Sequence, residues 1–317
     1  MKSNYSTKLG LIGAGAWGRN YIKTIEKIDG IELIGISTKS GTIKNDYLDR
    51  KKFKIYNDWK ELVSKKNIDG VIIATPANTH FEITKYCINL GLPCIVEKPI
   101  TLKSSQANYI YELAKKNKAI VLVDHIHLYN SPFKELKKIS LKSKNIISID
   151  SVAGGNGPFR KDVRALWDWG SHDIAMSIDI MGNDPELIEA SYLRKNNKKT
   201  SKGEIIQTTL LFEKHKKVTL IFGNLMNKKI RIFDVKTDSG IIRYQPLLEK
   251  KLIKISASQN DFKFADLKIP SSNSAMELLI NHFIKLIKKK DENYYDLELA
   301  LKVTSVIESI SNLLDQN

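Results

Sequence analysis

The chain has 317 residues, of which 42% are hydrophobic and 27% charged, with a formal net charge of +16 at pH 7. This length exceeds what one hydrophobic core usually organises, so we expect two domains. No apolar run approaches the roughly 18 to 20 residues of a membrane span, and the N-terminus has no pattern of a cleavable signal. The two cysteines are too few for a disulfide framework, so we expect a cytoplasmic protein with buried, reduced thiols.

The positive charge is spread along the chain rather than gathered in one segment. Lysines outnumber arginines and lie in short runs at predicted helix ends and turns, such as Lys65-Lys66 and Lys288–Lys290. Because arginine is the preferred reader of bases and no recognition motif accompanies the charge, we expect no nucleic-acid partner. A positive field would attract an anionic substrate.

From Lys8 to about Asp124, short apolar runs alternate with helical patterns, as in successive βαβ units around a parallel sheet. The predicted strands are Leu9–Ile12, Glu32–Ile36, Val71–Ala74, Cys94–Val96 and Ile120–Val123. The predicted helices are Trp17–Ile28, Trp59–Lys65, Thr79–Leu90 and Ser104–Lys116. The sequence therefore predicts a doubly wound α/β domain of the Rossmann type over residues 1–124.

After Asp124 the pattern changes to that of an α+β domain over residues 125–317. Predicted helices cover Pro132–Lys138 and Trp169–Met181, and a glycine-rich segment over residues 154–158 interrupts the pattern between them. The predicted strands are Ile146–Val152, Leu187–Leu193, Ile205–Phe212, Val218–Phe222, Ile230–Val235 and Leu252–Ile255, which favour an antiparallel sheet. Two helices close the chain, Ala275–Ile287 and Leu297–Leu314, and the last is a candidate for packing back on the first domain.

A glycine motif, Gly13-Ala14-Gly15-Ala16-Trp17-Gly18, follows the first predicted strand and opens the first predicted helix. This is the context of a dinucleotide-binding loop, in which the helix N-terminus directs N–H groups at the phosphates. The predicted cofactor-binding residues here are Gly13, Gly15, Ala16, Trp17 and Gly18. The alternative is a tight turn that needs glycines for packing alone.

The end of the second predicted strand lacks the Asp or Glu that pairs with the ribose 2′-hydroxyl of NAD. Ser37, Thr38, Lys39 and Ser40 stand there, and their hydroxyl and ammonium groups suit a 2′-phosphate. The sequence therefore favours NADP(H), with NAD(H) as the alternative. An ordinary polar turn is the other interpretation.

Three segments in this order, Ala74–His80, Glu97-Lys98-Pro99 and Asp168–Asp173, resemble the signatures of the Gfo/Idh/MocA oxidoreductases. The resemblance implies that Thr75 and Pro76 line the nicotinamide-ribose region and that Glu97-Lys98-Pro99 borders the nicotinamide. It also implies that Asp168 and His172 face the nicotinamide from the second domain, and that the protein is a homodimer or homotetramer. His80 is a further candidate for cofactor binding, with capping or packing as its alternative role.

The residue types of the third segment suit acid–base chemistry. Asp168 and His172 are four positions apart and share a face if this stretch is helical. A histidine has an unperturbed pKa of about 6.5 and is a good proton acceptor, and an aspartate can orient its ring. Lys98 can donate to the substrate oxygen and is a rival general base. A helix cap at Asp168 and a packed His172 are the structural alternative, and a metal site is not predicted because a third ligand is missing.

Two further segments, Gly157–Asp168 and Asp124–Asn130, resemble the branch of the family that acts on nucleotide-linked sugars. Arg160 and Arg164 could bind a sugar carboxylate or a diphosphate, or pair with an acidic neighbour such as Asp162. The predicted substrate-binding residues are Lys98, His125, Arg160, Arg164, Asp168 and His172. We expect an NAD(P)-dependent oxidoreductase for a nucleotide-linked or acidic sugar. A free-sugar or inositol dehydrogenase and a non-catalytic NADP(H) sensor are the alternatives.

Overall fold

The structure is a computed structural model that describes residues 6–39, 53–160, 163–198, 201–258, 261–292 and 294–316. The chain forms two compact units, the first of Met1–Asp124 with Met276–Leu301 and the second of His125–Ala275 with Lys302–Asn317. Across these described ranges, no helix combines the length and the apolar character that crossing a membrane requires.

The first unit contains a six-stranded parallel sheet in the order β3-β2-β1-β4-β5-β6. Its strands are β1 Thr7–Ile12, β2 Ile31–Ser37, β3 Lys54–Tyr56, β4 Gly70–Ile73, β5 Cys94–Glu97 and β6 Val121–Asp124. The direction of winding reverses between β1 and β4, so the carboxyl ends of these strands border the crevice where such sheets bind ligands. The predicted doubly wound sheet is confirmed. The edge strand β3 was missed because it is only three residues long.

Four helices of this unit connect the strands: α1 Ala16–Ile25, α2 Trp59–Val63, α3 His80–Asn89 and α4 Ser104–Asn117. The apolar sides of α2, α3 and α4 pack on the sheet around Val71, Val96 and Val123, and α1 buries Tyr21 and Ile22. Cys87 and Cys94 are free and buried, as expected for reduced core thiols, and burial raises the pKa of Cys87 to about 12.

The second unit contains an eight-stranded sheet in the order β14-β13-β12-β11-β7-β10-β9-β8. Its strands are β7 Ile146–Asn156, β8 Leu187–Lys198, β9 Ser201–Phe212, β10 Lys216–Gly223, β11 Leu225–Thr237, β12 Gly240–Tyr244, β13 Leu252–Ser258 and β14 Asp261–Asp266. The pairing is antiparallel except between β7 and β10, which are parallel. The predicted antiparallel sheet is confirmed, with the exception of this one pair, in which β10 leaves its hairpin with β9 and lies parallel to the distant β7.

The glycine-rich segment does not end a strand where the sequence predicted an interruption. Strand β7 continues through Gly154 and Gly155 to Asn156. A Cβ on Gly154 would lie 2.3 Å from the Gly223 carbonyl oxygen, so glycine permits a close approach of β7 and β10. Gly154 is therefore a glycine because the two strands pack closely there, and not because the chain turns.

Helix α5, Ser131–Lys142, precedes the sheet, and helix α6, Ser171–Met181, follows β7. A π-helical turn, Leu166–Gly170, leads directly into α6. The final helices are α7, Ala275–Lys289, and α8, Tyr295–Gln316. Of these, residues 276–301 belong to the first unit, where Phe283 packs over Gly70 of β4.

Candidate active site

The glycine loop after β1 is held by close backbone contacts. Gly13 has a φ of 98°, and a Cβ there would lie 2.5 Å from the Ala74 carbonyl oxygen. A Cβ on Gly18 would lie 2.1 Å from the Gly13 carbonyl oxygen. Only glycine fits both positions, since each is closed by backbone atoms that have no side-chain freedom to move away.

The middle of the loop is open. A Cβ on Gly15 would meet no atom within 4 Å, and Ala16 and Trp17 are exposed. Helix α1 starts at Ala16 with no side-chain cap and no acidic residue in its first turn. Its first N–H groups and its positive dipole end are therefore available to an anion, as a dinucleotide phosphate requires.

The end of β2 shows only part of the predicted 2′-phosphate site. Ser37 is buried, Thr38 is half-buried and Lys39 is exposed. The Thr38 N–H donates to the Tyr56 carbonyl oxygen at 3.0 Å. Ser40, the fourth residue of the motif, lies outside the described residues. Among these residues, Lys39 is the one whose charge is accessible.

His80 connects the loops that follow β4 and β5. Its Nδ1 lies 2.7 Å from the Pro99 carbonyl oxygen and its Nε2 lies 2.9 Å from the Thr75 carbonyl oxygen. The side chain is buried, and burial lowers the pKa of His80 against the opposing effect of the two carbonyls. Both ring nitrogens are occupied by backbone, which supports the packing alternative for His80. It positions Thr75 and the Lys98-Pro99 segment.

Glu97 and Asp124 form a buried carboxyl pair beside Lys98. They face each other in register at the ends of β5 and β6 and are 6% and 1% exposed. The two carboxyl groups influence each other's pKa, and the Tyr21 hydroxyl donates to Asp124 Oδ2 at 2.5 Å. Burial raises the pKa of Glu97 well above its usual range, and Asp124 raises it further. Two buried carboxyls side by side favour sharing a proton over carrying two negative charges.

Glu97 is a predicted cofactor residue, whereas Tyr21 and Asp124 were not predicted as part of this site. The signal that could have identified Asp124 is an acidic residue at the carboxyl end of each of two neighbouring strands, since a parallel sheet brings these ends side by side. Lys98 follows Glu97 directly and is half-buried, and its ammonium group lowers the pKa of both carboxyls.

In the second unit, Asp168 lies in the π-helical turn and His172 lies in the first turn of α6. Both side chains are half-buried, and Asp168 Oδ1 lies 3.8 Å from Arg160 Nη1. The N-cap of α6 is Gly170, so Asp168 does not cap that helix. π-Helical turns occur frequently at functional sites, because the extra residue redirects the side chains that follow.

A buried ion pair that was not predicted from the sequence lies beside His172. Arg231 Nη1 donates to Asp173 Oδ2 at 2.9 Å and to Oδ1 at 3.1 Å, and the Ser151 hydroxyl donates to Oδ1 at 2.8 Å. The side chains of Arg231 and Asp173 are 6% and 1% exposed. The pair fixes β11 and β7 to the start of α6, and therefore the backbone that carries His172.

Two histidines of the second unit are in contact. The rings of His127 and His172 lie 4.9 Å apart at 78°, and His127 Nδ1 lies 2.9 Å from the Tyr244 hydroxyl. His125, and not His127, is the substrate-binding residue that the sequence predicts, and the His125 side chain is 2% exposed. Nothing in the sequence separates the two, since both belong to one short segment.

The predicted anion-binding arginines have different surroundings. Arg164 bonds to Glu204, Ser311 and Asp315, at 3.3, 3.3 and 3.1 Å, and also to the Tyr192 hydroxyl. These contacts support the alternative in which Arg164 pairs with an acidic residue instead of binding a substrate anion, and Glu204 is one such partner. The expected partner Asp162 lies outside the described residues. Arg160 is exposed and lies near Asp168.

The glycine loop and the loops after β4 and β5 lie in the segment that matches a known family. Residues 7–125 match the model named GFO_IDH_MocA, described as an oxidoreductase family with an NAD-binding Rossmann fold. Both units together match a crystal structure from Magnetospirillum magnetotacticum MS-1 that is described as an oxidoreductase. That match has a TM-score of 0.85 and 30% identity, and covers 96% of this chain and 99% of the other. The chain belongs to the Gfo/Idh/MocA family.

Two curated relatives have more specific names. The scyllo-inositol 2-dehydrogenase (NADP(+)) IolW of Bacillus subtilis is 23% identical over 59% of this chain and 54% of its own. The UDP-N-acetylglucosamine 3-dehydrogenase of Acidithiobacillus ferrooxidans is 22% identical over 58% of this chain and 57% of its own. The chain therefore spans little more than half the length of these family members. Among the residues that the structure describes, no group of three or more His, Cys, Asp or Glu could hold a metal ion.

Proposed function

We propose that this family member is an NAD(P)-dependent dehydrogenase or reductase that interconverts a secondary alcohol and a ketone on a sugar bearing negative charge. The observation that carries the proposal is the open face of Gly15 at the uncapped start of α1. That cradle fits a dinucleotide phosphate, and the same unit carries Lys98 at the carboxyl end of β5.

The glycine loop, Thr75, Pro76 and the Glu97-Lys98 segment are the residues proposed to hold the cofactor, and His80 supports them through its two carbonyl contacts. When bound, the nicotinamide supplies the hydride acceptor or donor. We favour NADP(H) because Lys39 is exposed at the end of β2 and no carboxylate occupies residues 37–39. The name of the B. subtilis relative includes NADP(+), which supports the same preference.

In the oxidation direction the substrate carbon loses a hydride and its hydroxyl loses a proton, which leaves a ketone. His172 is the proposed acceptor of that proton, since a neutral imidazole is a competent base near neutral pH. Lys98 donates a hydrogen bond to the substrate oxygen as charge develops there and is the alternative base. Asp168 stabilises the imidazolium form through its negative charge.

The proposed substrate is a nucleotide-linked or otherwise acidic sugar. The net charge of +16 favours approach of an anion, and the exposed Arg160 offers a guanidinium near Asp168. Arg164 is committed to Glu204 and Asp315, so we assign it a structural role. The A. ferrooxidans relative, whose name includes a UDP-sugar, supports this substrate class.

An inositol or free-sugar dehydrogenase is the second candidate, favoured by the name of the B. subtilis relative. The two candidates differ in substrate charge. The proposal predicts that Arg160→Ala raises KM for the true substrate, whereas a neutral polyol would be insensitive to that change.

The test is a screen of the purified protein with NADP⁺ and NAD⁺ against UDP-N-acetylglucosamine, hexuronic acids, myo-inositol and scyllo-inositol, following absorbance of the reduced nicotinamide. We expect turnover of an anionic sugar with NADP⁺. Turnover of inositols alone selects the second candidate. Cofactor binding by calorimetry without turnover of any sugar, in either direction, would favour the non-catalytic sensor and overturn the proposed activity.

A further inference from the structure

A second histidine stands against the proposed base in the same unit. His127 lies in the 3₁₀ turn Ile126–Tyr129 and is half-buried. Its ring meets the ring of His172 nearly edge to face, with centroids 4.9 Å apart at an angle of 78°. Aromatic rings favour this arrangement over a parallel sandwich, so the contact restricts the rotation of the His172 ring.

Tyr244 fixes the other side of His127. Its hydroxyl lies 2.9 Å from His127 Nδ1, and the tyrosine is fully buried on β12. Burial raises the pKa of Tyr244 far above neutral, and the nearby Arg231 only partly opposes this. The phenol therefore keeps its proton and can donate it to Nδ1. This bond favours the neutral tautomer of His127 that carries its hydrogen on Nε2.

We propose that His127, held by Tyr244, is a positioning residue that orients the His172 ring and leaves His172 as the member of the pair that takes up a proton. This inference rests on the proposed role of His172 as the base. It assigns a task to a residue that the family resemblance does not single out, and it identifies Tyr244 as the residue that makes that task possible.

The charges around the pair support this assignment. Two imidazolium rings 4.9 Å apart would repel each other, so the pair accepts one proton readily and a second only at lower pH. Tyr244 from β12 contacts His127, and Arg231 from β11 and Asp173 from α6 lie near Tyr244. Asp168 lies in the π-helical turn that leads into the helix of His172. Arg231 and Asp173 offset each other's charge in their ion pair. The hydrogen bond from Tyr244 then decides which ring stays neutral.

The first test is a titration of the ring C2–H signals in protein labelled with ¹³C-histidine. The chain has six histidines, so single substitutions assign each signal. In the wild type we expect His172 to titrate at a higher pH than His127. Tyr244→Phe removes the donor to Nδ1, and we expect the pKa of His127 to rise and that of His172 to fall. Titration curves of both rings that do not move would overturn the proposal.

The second test separates the ring contact from the hydrogen bond. His127→Asn keeps an acceptor for Tyr244 but loses the ring, whereas His127→Phe keeps the ring edge and loses the acceptor. With UDP-N-acetylglucosamine and NADP⁺ as probes, we expect His127→Asn to lower kcat on the order of 10-fold to 100-fold with little change in KM. His127→Phe should recover part of this loss and turn the His172 titration into a single uncoupled step. The exposed His215→Asn is the control.

The two kinds of failure are distinguishable because the titration needs no substrate. A His172 curve that responds to Tyr244→Phe and His127→Phe supports the positioning role even if no sugar is turned over, in which case only the proposed function fails. Turnover that requires His172 but is equal in His127→Asn, His127→Phe and wild type overturns the positioning role alone. If Tyr244→Phe does not fold, as judged by its near-UV circular dichroism, the two His127 variants decide.

Discussion

Glu97 and Asp124 occupy equivalent positions at the ends of adjacent parallel strands, and their carboxyl groups share one buried environment with the hydroxyl of Tyr21. Desolvation disfavours the charged form of each carboxyl. The pair therefore lowers the free energy of unfolding more strongly as the pH rises. It lies next to Lys98, the proposed catalytic lysine.

This pair predicts an unusual pH dependence of stability. The pKa of Glu97 is raised in the folded state, so the folded protein holds a proton that the unfolded chain releases above about pH 4.3. The penalty is absent below that pH and grows as the pH rises toward the folded pKa. Glu97→Gln should therefore gain stability relative to wild type as the pH rises above about 4.3, at up to about 1.4 kcal/mol per pH unit. Urea unfolding measures this, and the exposed Glu112→Gln is the control.

The glycine loop predicts opposite behaviour for two alanine substitutions. Gly18→Ala places a Cβ 2.1 Å from the Gly13 carbonyl oxygen and should destabilise the first unit by about 1–3 kcal/mol. Gly15→Ala meets no atom within 4 Å, so it should keep the melting temperature and weaken the binding of the dinucleotide. Thermal unfolding and calorimetry with NADPH distinguish the two. Unchanged NADPH affinity in Gly15→Ala would place the phosphates elsewhere.

The exposed Lys39 at the end of β2 leads us to predict a preference for NADPH over NADH. We expect wild type to bind NADPH more tightly than NADH, and Lys39→Asp to invert the order because a carboxylate repels the 2′-phosphate and accepts from a 2′-hydroxyl. Loss of one charge-assisted contact should weaken NADPH binding by about 1.5–3 kcal/mol. Calorimetry with both cofactors measures this. Tighter binding of NADH by wild type would contradict the interpretation of residues 37–39.

The proposed roles of Lys98, Asp168 and His172 predict that their variants lose kcat but keep their affinity for the cofactor. His172→Ala and Lys98→Ala should each lower kcat by about 10²-fold to 10⁴-fold and leave the affinity for NADP(H) nearly unchanged. Asp168→Asn should be most impaired at the pH where His172 accepts a proton. Near-normal kcat in all three variants would contradict the assignment. If only Lys98→Ala is inactive, the lysine is the base.

The ion pair of Arg231 and Asp173 predicts a large loss of stability. Arg231→Met leaves a carboxylate that is 1% exposed without its cation, at a cost of about 3–5 kcal/mol. The control is Arg243→Met, since Arg243 and Asp234 form a more exposed pair on β12 and β11, and we expect its loss to cost less. Denaturant unfolding of the two variants compares them. Equal losses would show that burial of the Arg231 pair has no special effect.

Local sequence determined much of this protein. The alternation of apolar runs and helical patterns predicted five of the strands of the first sheet, because hydrophobic period and glycine turns act over neighbouring residues. The loop of Gly13, Gly15 and Gly18 was readable for the same reason. A three-residue edge strand such as β3 lacks enough length to show a period, and the parallel contact of β7 with β10 joins segments about seventy residues apart.

Only the tertiary structure decided which polar side chains act together. Asp124 meets Glu97 because a parallel sheet aligns the ends of separate strands, and His127 meets His172 and Tyr244 although these residues belong to three distant elements. Arg164 was a candidate anion site in sequence until folding placed Glu204 and Asp315 around it. Charge and hydrogen-bonding capacity are properties of the residue, but the partner that uses them is set by long-range packing, which no local pattern encodes.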